Sequence, residues 1–485
     1  MRYAKLWSSF MLVCAVSFAV ASATSVSAPW QDLTRIDVQA AYHLLEDNDP
    51  AALPQVGDRT FTTALAQAHR RALERAAQVT TLEGHNATLA AFANSMGDGH
   101  IWSYGEFLPR TVKWTGIIVA KRGNNWVVAK DDRRITGRAL DGADILSCDG
   151  HPIGQVAQSI LPFHAVMSDE AEQVLRAGWL LIDDGNPFVH RPAACVFDRA
   201  GTRMDITLHW TRIGLYKLVQ SDWPHPFGQA GFGVRRSGKG YWISIQALTP
   251  KAQPVLNAVK AQLTQIRAAP YVVVDLRGNG GGDDNYGRRL AQELYGTGYV
   301  DAILGPGVFA ASSCNEVYRA SPQNIAALTQ AAQVFRRTGD AIGAKAYHDA
   351  VARMTAARAH GQALTGPLTC PRAPTAQHAT ARPRFKGKVF VLTDAACFSS
   401  CINVVGFFRK LGAMQVGEDT GSDSHYAEVR QIVLPSGLST FSTLQAIMPD
   451  YPRKIGPFVP RRIYDGNIAD TSALQAWIRR LAARH

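Results

Sequence analysis

The chain has 485 residues, a formal net charge of +12 and a 46% hydrophobic composition. Single cores stop growing beyond about 250–300 residues, so two or three domains are expected. The excess of Lys and Arg is spread along the chain, with no dense basic block interleaved with aromatics, which argues against nucleic-acid binding.

Residues 1–23 read as a signal peptide. Arg2 and Lys5 give a positive start, Phe10–Val20 an apolar run too short to span a bilayer, and Ala21-Ser22-Ala23 a small-residue cleavage site. A second small-residue site ends at Ala28, but Pro29 follows and disfavours a cut there. Cys14 lacks the small residue that precedes a lipid-modified cysteine, and no later segment has the length and apolarity of a membrane span. The mature chain is therefore expected in the periplasm or outside the cell. Six cysteines remain in it: Cys148, Cys195, Cys314, Cys370, Cys397 and Cys401. An even count in an oxidising compartment favours disulfides, and proximity pairs 148 with 195, 314 with 370 and 397 with 401. There is no CxxC pair and no HExxH, so neither a zinc site nor another cofactor is expected.

Residues 29–112 predict a helical N-terminal region, Ala- and Leu-rich at helical spacing as in TTALAQAHRRALERAAQ, and interrupted at Asp49-Pro50 and Gly57-Asp58. Residues 113–213 change character. KWTGIIVAKRGNNWVVAKD reads as a hairpin around a Gly-Asn-Asn turn, GRALDGADILSCDGHPIGQVAQSIL as turn, strand, turn and helix, and RMDITLHWTRI as a closing strand. From residue 238 to 485 strands and helices alternate, the signature of an α/β layered domain: GYWISIQAL, PVLNAVKAQLTQIRAA, YVVVDLRGNGGG, NYGRRLAQELYG, KVFVLTDAACFSSC and AMQVGEDTGSD. About 306–385 a helical, surface-like stretch interrupts this pattern, flanked by Cys314 and Cys370, and reads as an insertion tied at its base.

Three loops carry candidate chemistry. In VVVDLRGNGGGDD, glycines after a buried strand expose backbone N–H groups that suit an oxyanion, although a tight turn explains them equally; the spacing is neither GxGxxG nor a phosphate loop. In DAACFSSC, Ser399 or Ser400 opens a helix beside unsatisfied amides and the positive dipole end, where a serine is a nucleophile or an ordinary N-cap. In GDGH, His100 follows a flexible turn and has the pKa range of a general base. Asp275 and Arg277 are read as holding a strand end, and Asp98 as shaping the turn before His100.

Taken together and in this order, MGDGH, GRALDGADILSCDG, VVVDLRGNGGG and VFVLTDAACFSSC…VGEDT resemble the C-terminal processing, or tail-specific, peptidases. The resemblance covers most of the mature chain. It implies a PDZ-like domain over 113–213, a ClpP/crotonase-like catalytic domain over 238–485, and cleavage of peptide or protein substrates by a serine nucleophile. Two departures qualify it. Members with a Ser–Lys dyad carry lysine after a GEPTxGK turn, whereas Asp423 stands there in GEDTGSD. The tricorn-like branch instead uses an N-terminal histidine, the place of His100. The glutamate that usually follows the serine is also missing. Counting back from Leu411-Gly412 puts the nucleophile at Ser399; a one-residue shift gives Ser400. The expected oxyanion donors are the amides of Gly280 or Gly281 and of Ser400, and the acid orienting His100 is Glu418 or Asp423. A cysteine nucleophile fits an oxidising compartment poorly. The rival readings are a catalytically decayed peptide-binding protein and an esterase using the same site.

Overall fold

The computed structural model describes residues 29–107, 109–219, 227–305, 316–368, 382–449 and 451–483. The expected signal peptide lies outside them, as do Cys314 and Cys370 with their expected bridge. No helix among the described residues is long and apolar enough to cross a membrane.

The chain begins with three helices, α1 (Trp30–Asn48), α2 (Arg59–Ala76) and α3 (Leu82–Asn94). Asp58 and Thr81 cap the second and third, each side chain accepting a backbone N–H of the first turn. A short strand, β1 (Ser103–Gly105), follows. Next comes a β-rich module. Strands β2 (Ile117–Arg122), β3 (Asn125–Asp131), β4 (Asp144–Cys148), β5 (Ala194–Arg199) and β6 (Thr202–Thr207) pair in that order, all antiparallel. Helices α4 (Ile153–Ile160) and α5 (Glu170–Arg176) sit in the β4–β5 connection. Cys148 and Cys195 face each other across β4 and β5 and form the expected disulfide.

The C-terminal half is built on a six-stranded sheet. Its order is β7 (Phe232–Ser237), β8 (Gly240–Ile245), β9 (Tyr271–Asp275), β11 (Lys388–Thr393), β12 (Met414–Gly417) and β15 (Arg462–Ile463). Only the β7–β8 edge is antiparallel. The β-branched run YVVVD makes β9 a central strand buried on both faces, as parallel sheets require. The two-residue period splits it: Val272 and Val274 join a core with helices α6 (Gln253–Ala261), α7 (Asn285–Tyr295) and α10 (Ser400–Lys410), while Val273 packs with Leu474 and Ile478 of α11 (Thr471–Ala483) on the other face.

A further sheet joins the two ends of the chain. Strand β14 (Ser439–Ile447) is buried at all nine positions. It pairs antiparallel with β13 (Tyr426–Val433), with β1 and with β10 (Val317–Tyr318). Phe441, Leu444 and Ile447 on it share a core with Val38, Leu45 and Phe92 of α1 and α3. The stretch read as a surface-like insertion thus contributes, among its described residues, a strand of this buried sheet. Its helical hairpin, α8 (Pro322–Thr338) and α9 (Ala341–Ala359), packs Leu328, Ala350 and Met354 against Tyr318 and Ala446. The whole is an α/β protein with a helical N-terminal region, as the alternation of elements implied.

Candidate active site

The C-terminal ends of β9 and β11 carry the glycine-rich loop and the serine turn side by side, the usual place for a site in an α/β sheet. Buried Asp275 and Arg277 pair at 2.7 Å at the strand end, and Arg277 also reaches Ile468 O and Thr471 Oγ1. They hold structure, as read from the sequence. Asp394, buried at the end of β11, accepts the Gly278 and Gly228 amides. Burial pushes its carboxyl up to about 7, against the pull of those N–H groups. Asn279 ties the loops together: its carbonyl accepts the Phe398 amide at 3.2 Å, and its side chain donates to Ile245 O.

Ser399 occupies the N-cap position of α10, but its side chain makes no capping bond. Its φ of +55° is sparsely populated for a residue with a Cβ, so the turn is strained in the manner of a nucleophile elbow. The hydroxyl is turned to His100, with Oγ to Nε2 at 3.1 Å. Ser400, in contrast, donates its hydroxyl to Gly282 O at 2.5 Å. Cys397 and Cys401 form the expected bridge around both serines, with Cα atoms 5.4 Å apart, and both are fully buried.

Gly281 has φ +103°, and a Cβ there would lie 2.8 Å from Ser399 Cβ and 3.0 Å from the Ser400 amide nitrogen. Only glycine lets the loop approach the serine this closely. The Gly281 amide is already used, donating to Asn279 Oδ1 at 2.9 Å, so it is not an open oxyanion donor. Among the described residues, the Gly280 and Ser400 amides have no acceptor.

His100 lies between the end of α3 and β1. Its carbonyl accepts the Ser442 hydroxyl of β14, which also accepts the Trp102 amide, so strand pairing fixes where the ring points. Phe398 packs on the ring, with centroids 4.6 Å apart. Gly99 makes room: a Cβ there would sit 2.8 Å from Phe398 Cζ. Two carboxylates face Nδ1, Asp423 Oδ1 at 3.2 Å and Asp98 Oδ1 at 3.3 Å. Nδ1 is buried and faces both carboxylates without a well-aligned hydrogen bond to either. Asp98 also accepts the His100 amide at 2.8 Å and the Ser424 hydroxyl at 2.6 Å. Burial alone would lower the His100 pKa. Asp423, then Asp98, outweigh it and raise the value to about 10. Burial likewise works against an ionised Asp98, but the hydrogen bond and charge of His100 hold it below the usual carboxylate range. Asp98, His100 and Asp423 are also the one cluster of metal-ligand type among the described residues, with donor atoms within 4.8 Å of one another; the two carboxylates facing one ring nitrogen already account for their arrangement.

Of the two acids expected beside His100, only Asp423 is there. Glu418 is corrected: its carboxylate meets the Ala395 amide and the neighbouring Asp394, and burial raises it to about 8. The loop bends after Gly417, at φ +110°, and points residue 418 back over the sheet end while residue 423 reaches the ring. Asp98, read as a turn former, meets the ring as well. Its position two residues before His100 was the available signal, because an aspartate that accepts the n+2 amide stays beside that residue's side chain. Asn279 and Asp394 were not foreseen.

Residues 241–453 match the model of Peptidase family S41. This span includes Ser399 and Asp423 but not His100. Among solved structures, mature CPAF is similar at 12% identity and a TM-score of 0.59, over 93% of this chain and 97% of that one. Mature CPAF complexed with lactacystin is similar at 13% identity and the same TM-score, over 93% and 99%. At that identity the likeness speaks for the fold. No curated protein matches the sequence. The family match over residues 241–453, the shared fold and the order of the motifs make the chain similar to Peptidase family S41.

Proposed function

We propose that the chain is an exported serine peptidase that hydrolyses peptide bonds in protein or peptide substrates, with Ser399 as nucleophile and His100 as base. The observation that carries this reading is the 3.1 Å approach of His100 Nε2 to a Ser399 hydroxyl that caps no helix. In this mechanism neutral His100 takes the Ser399 proton at Nε2 as Oγ attacks the scissile carbonyl. The Gly280 and Ser400 amides receive the developing oxyanion. Asp423 and Asp98 hold the imidazolium, which then protonates the leaving amine. A water deprotonated by His100 resolves the acyl-enzyme by the reverse steps.

The base is thus histidine, as in the tricorn-like branch, and Asp423 at the position of the dyad lysine serves the histidine. The β-rich module over 113–213 is read as PDZ-like, between a helical region over 29–112 and a catalytic domain over 238–485. A signal peptide over 1–23 and two buried disulfides support a periplasmic or secreted location. An idle peptide-binding protein is the second reading. The high His100 pKa favours it, since a protonated ring cannot take the serine proton at neutral pH. A fluorophosphonate probe decides between them. Labelling of the wild type that is lost in Ser399→Ala and His100→Ala supports the peptidase; an unlabelled wild type at neutral and alkaline pH supports the binding protein.

A further inference from the structure

Asp169 lies in the β-rich module, far in sequence from every residue of the site. It is the N-cap of α5, and its Oδ1 accepts the Ala171 amide at 3.0 Å. Its other oxygen leaves the module and accepts the Ser422 amide at 2.8 Å. The carboxylate is buried, and a charge-assisted bond from an amide is stronger there than one between neutral partners. Lys121 on β2 pairs with Glu170, which anchors the turn bearing Asp169 to its own sheet.

Ser422 precedes Asp423, and the segment Gly421–Ser424 is held from several sides. The Gly421 amide donates to Cys397 O at 3.0 Å, Asp423 and Ser424 pair with Ile455 and Lys454, and the Ser424 hydroxyl reaches Asp98. A Cβ on Gly421 would lie 3.3 Å from Cys397 O and 3.7 Å from Asp169 Oδ2, so the segment is sandwiched between the serine turn and Asp169. We infer that Asp169 is a positioning residue: by holding the Ser422 amide it sets the loop at the height where Asp423 meets His100 Nδ1. The inference rests on the proposed roles of Ser399 and His100. It also makes the β-rich module part of the working site, because one of its carboxylates holds the loop that carries Asp423.

Two substitutions separate this hold from the helix cap. Asp169→Ser keeps a capping oxygen for Ala171 but is too short to reach Ser422. Asp169→Asn keeps the shape and one acceptor, but turns an NH2 group toward the Ser422 N–H. Steady-state peptide hydrolysis is measured across pH for both, beside Ser399→Ala, with melting temperatures. A displaced orienting group costs rate steeply, so kcat falls roughly tenfold to a hundredfold with KM little changed. His100 faces Asp423, Asp98 and Ser399. Loosening Asp423 leaves Asp98 as the nearer charge, so the rise of kcat/KM with pH moves to lower pH. If both variants keep wild-type kcat and an unmoved pH profile while Ser399→Ala is dead, the role of Asp169 is overturned and the peptidase reading stands. If Ser399→Ala itself turns over normally, the peptidase reading falls and this inference with it.

Discussion

Asp98 and Asp423, from opposite ends of the chain, each bring an Oδ1 within 3.3 Å of the same ring nitrogen of His100. A single orienting acid suffices for a catalytic histidine; two make the ring strongly basic. The expected outcome is a peptidase that works best in alkali. With a pKa raised to about 10, His100 is charged at neutral pH, and kcat/KM rises as the base form grows. Asp98→Asn removes one facing charge and shifts this rise down by about one pH unit or more. The pH–rate profiles of wild type and variant check both points.

The same shift makes a stability prediction. The folded pKa of His100 lies above the unfolded value of about 6.5, so the charged ring contributes fully below that value. The contribution fades as pH rises through about 10. The melting temperature of His100→Ala should therefore lie furthest below wild type at about pH 6 and approach it in strong alkali.

Ser399→Ala should abolish covalent labelling and leave melting nearly unchanged, since the side chain caps nothing. Ser400→Ala loses the bond to Gly282 O, at about 1 kcal/mol, and should lower turnover without abolishing it. A dead Ser400→Ala beside an active Ser399→Ala would move the nucleophile by one residue.

The two disulfides should separate stability from activity. Cys148–Cys195 spans 47 residues and its loss should cost about 4 kcal/mol in the chain-entropy model, with little change in turnover once folded. Cys397–Cys401 closes only a helical turn, worth about 2 kcal/mol, yet it brackets Ser399. Replacing both of its cysteines by serine should depress kcat more than it depresses melting. Turnover and melting of the two double variants test the contrast.

A pair of half-buried acids under the helical hairpin gives a second pH signature. Glu428 accepts the Tyr347 hydroxyl at 2.8 Å, and burial together with the nearby Glu316 raises its pKa to about 8. A carboxyl raised this far stabilises the fold below about pH 4.5 and ceases to as pH passes through about 8. Glu428→Gln keeps an acceptor for Tyr347 without the charge, so it should melt higher than wild type at about pH 9. Calorimetry at acid and alkaline pH checks this.

Much of the site was legible because it depends on local chemistry. The run YVVVD reads as a buried strand, the glycines after it as either a close-packed loop or a tight turn, and DAACFSSC as a turn before a helix. His100, one histidine among fourteen, was marked by the family resemblance rather than by its own turn. The acids were harder. Glu418 and Asp423 share one short loop, and which of them faces inward depends on the bend after Gly417 and on the hold at Ser422, neither of which has a sequence period. The buried sheet was not legible at all: β1 and β10 pair with a strand far along the chain from either, and β10 is two residues long, so no alternation pattern could reveal it.

The pairing of β1 with β14 has a consequence for the order in which the chain is made. His100 is synthesised early, but the strand that aims its ring comes close to the end, after both serines. On the proposed mechanism, a nascent or truncated chain that stops before Ser439–Ile447 holds its base and nucleophile unassembled. The site is thereby silent until that strand exists, and a fragment ending ahead of it cannot digest its own siblings.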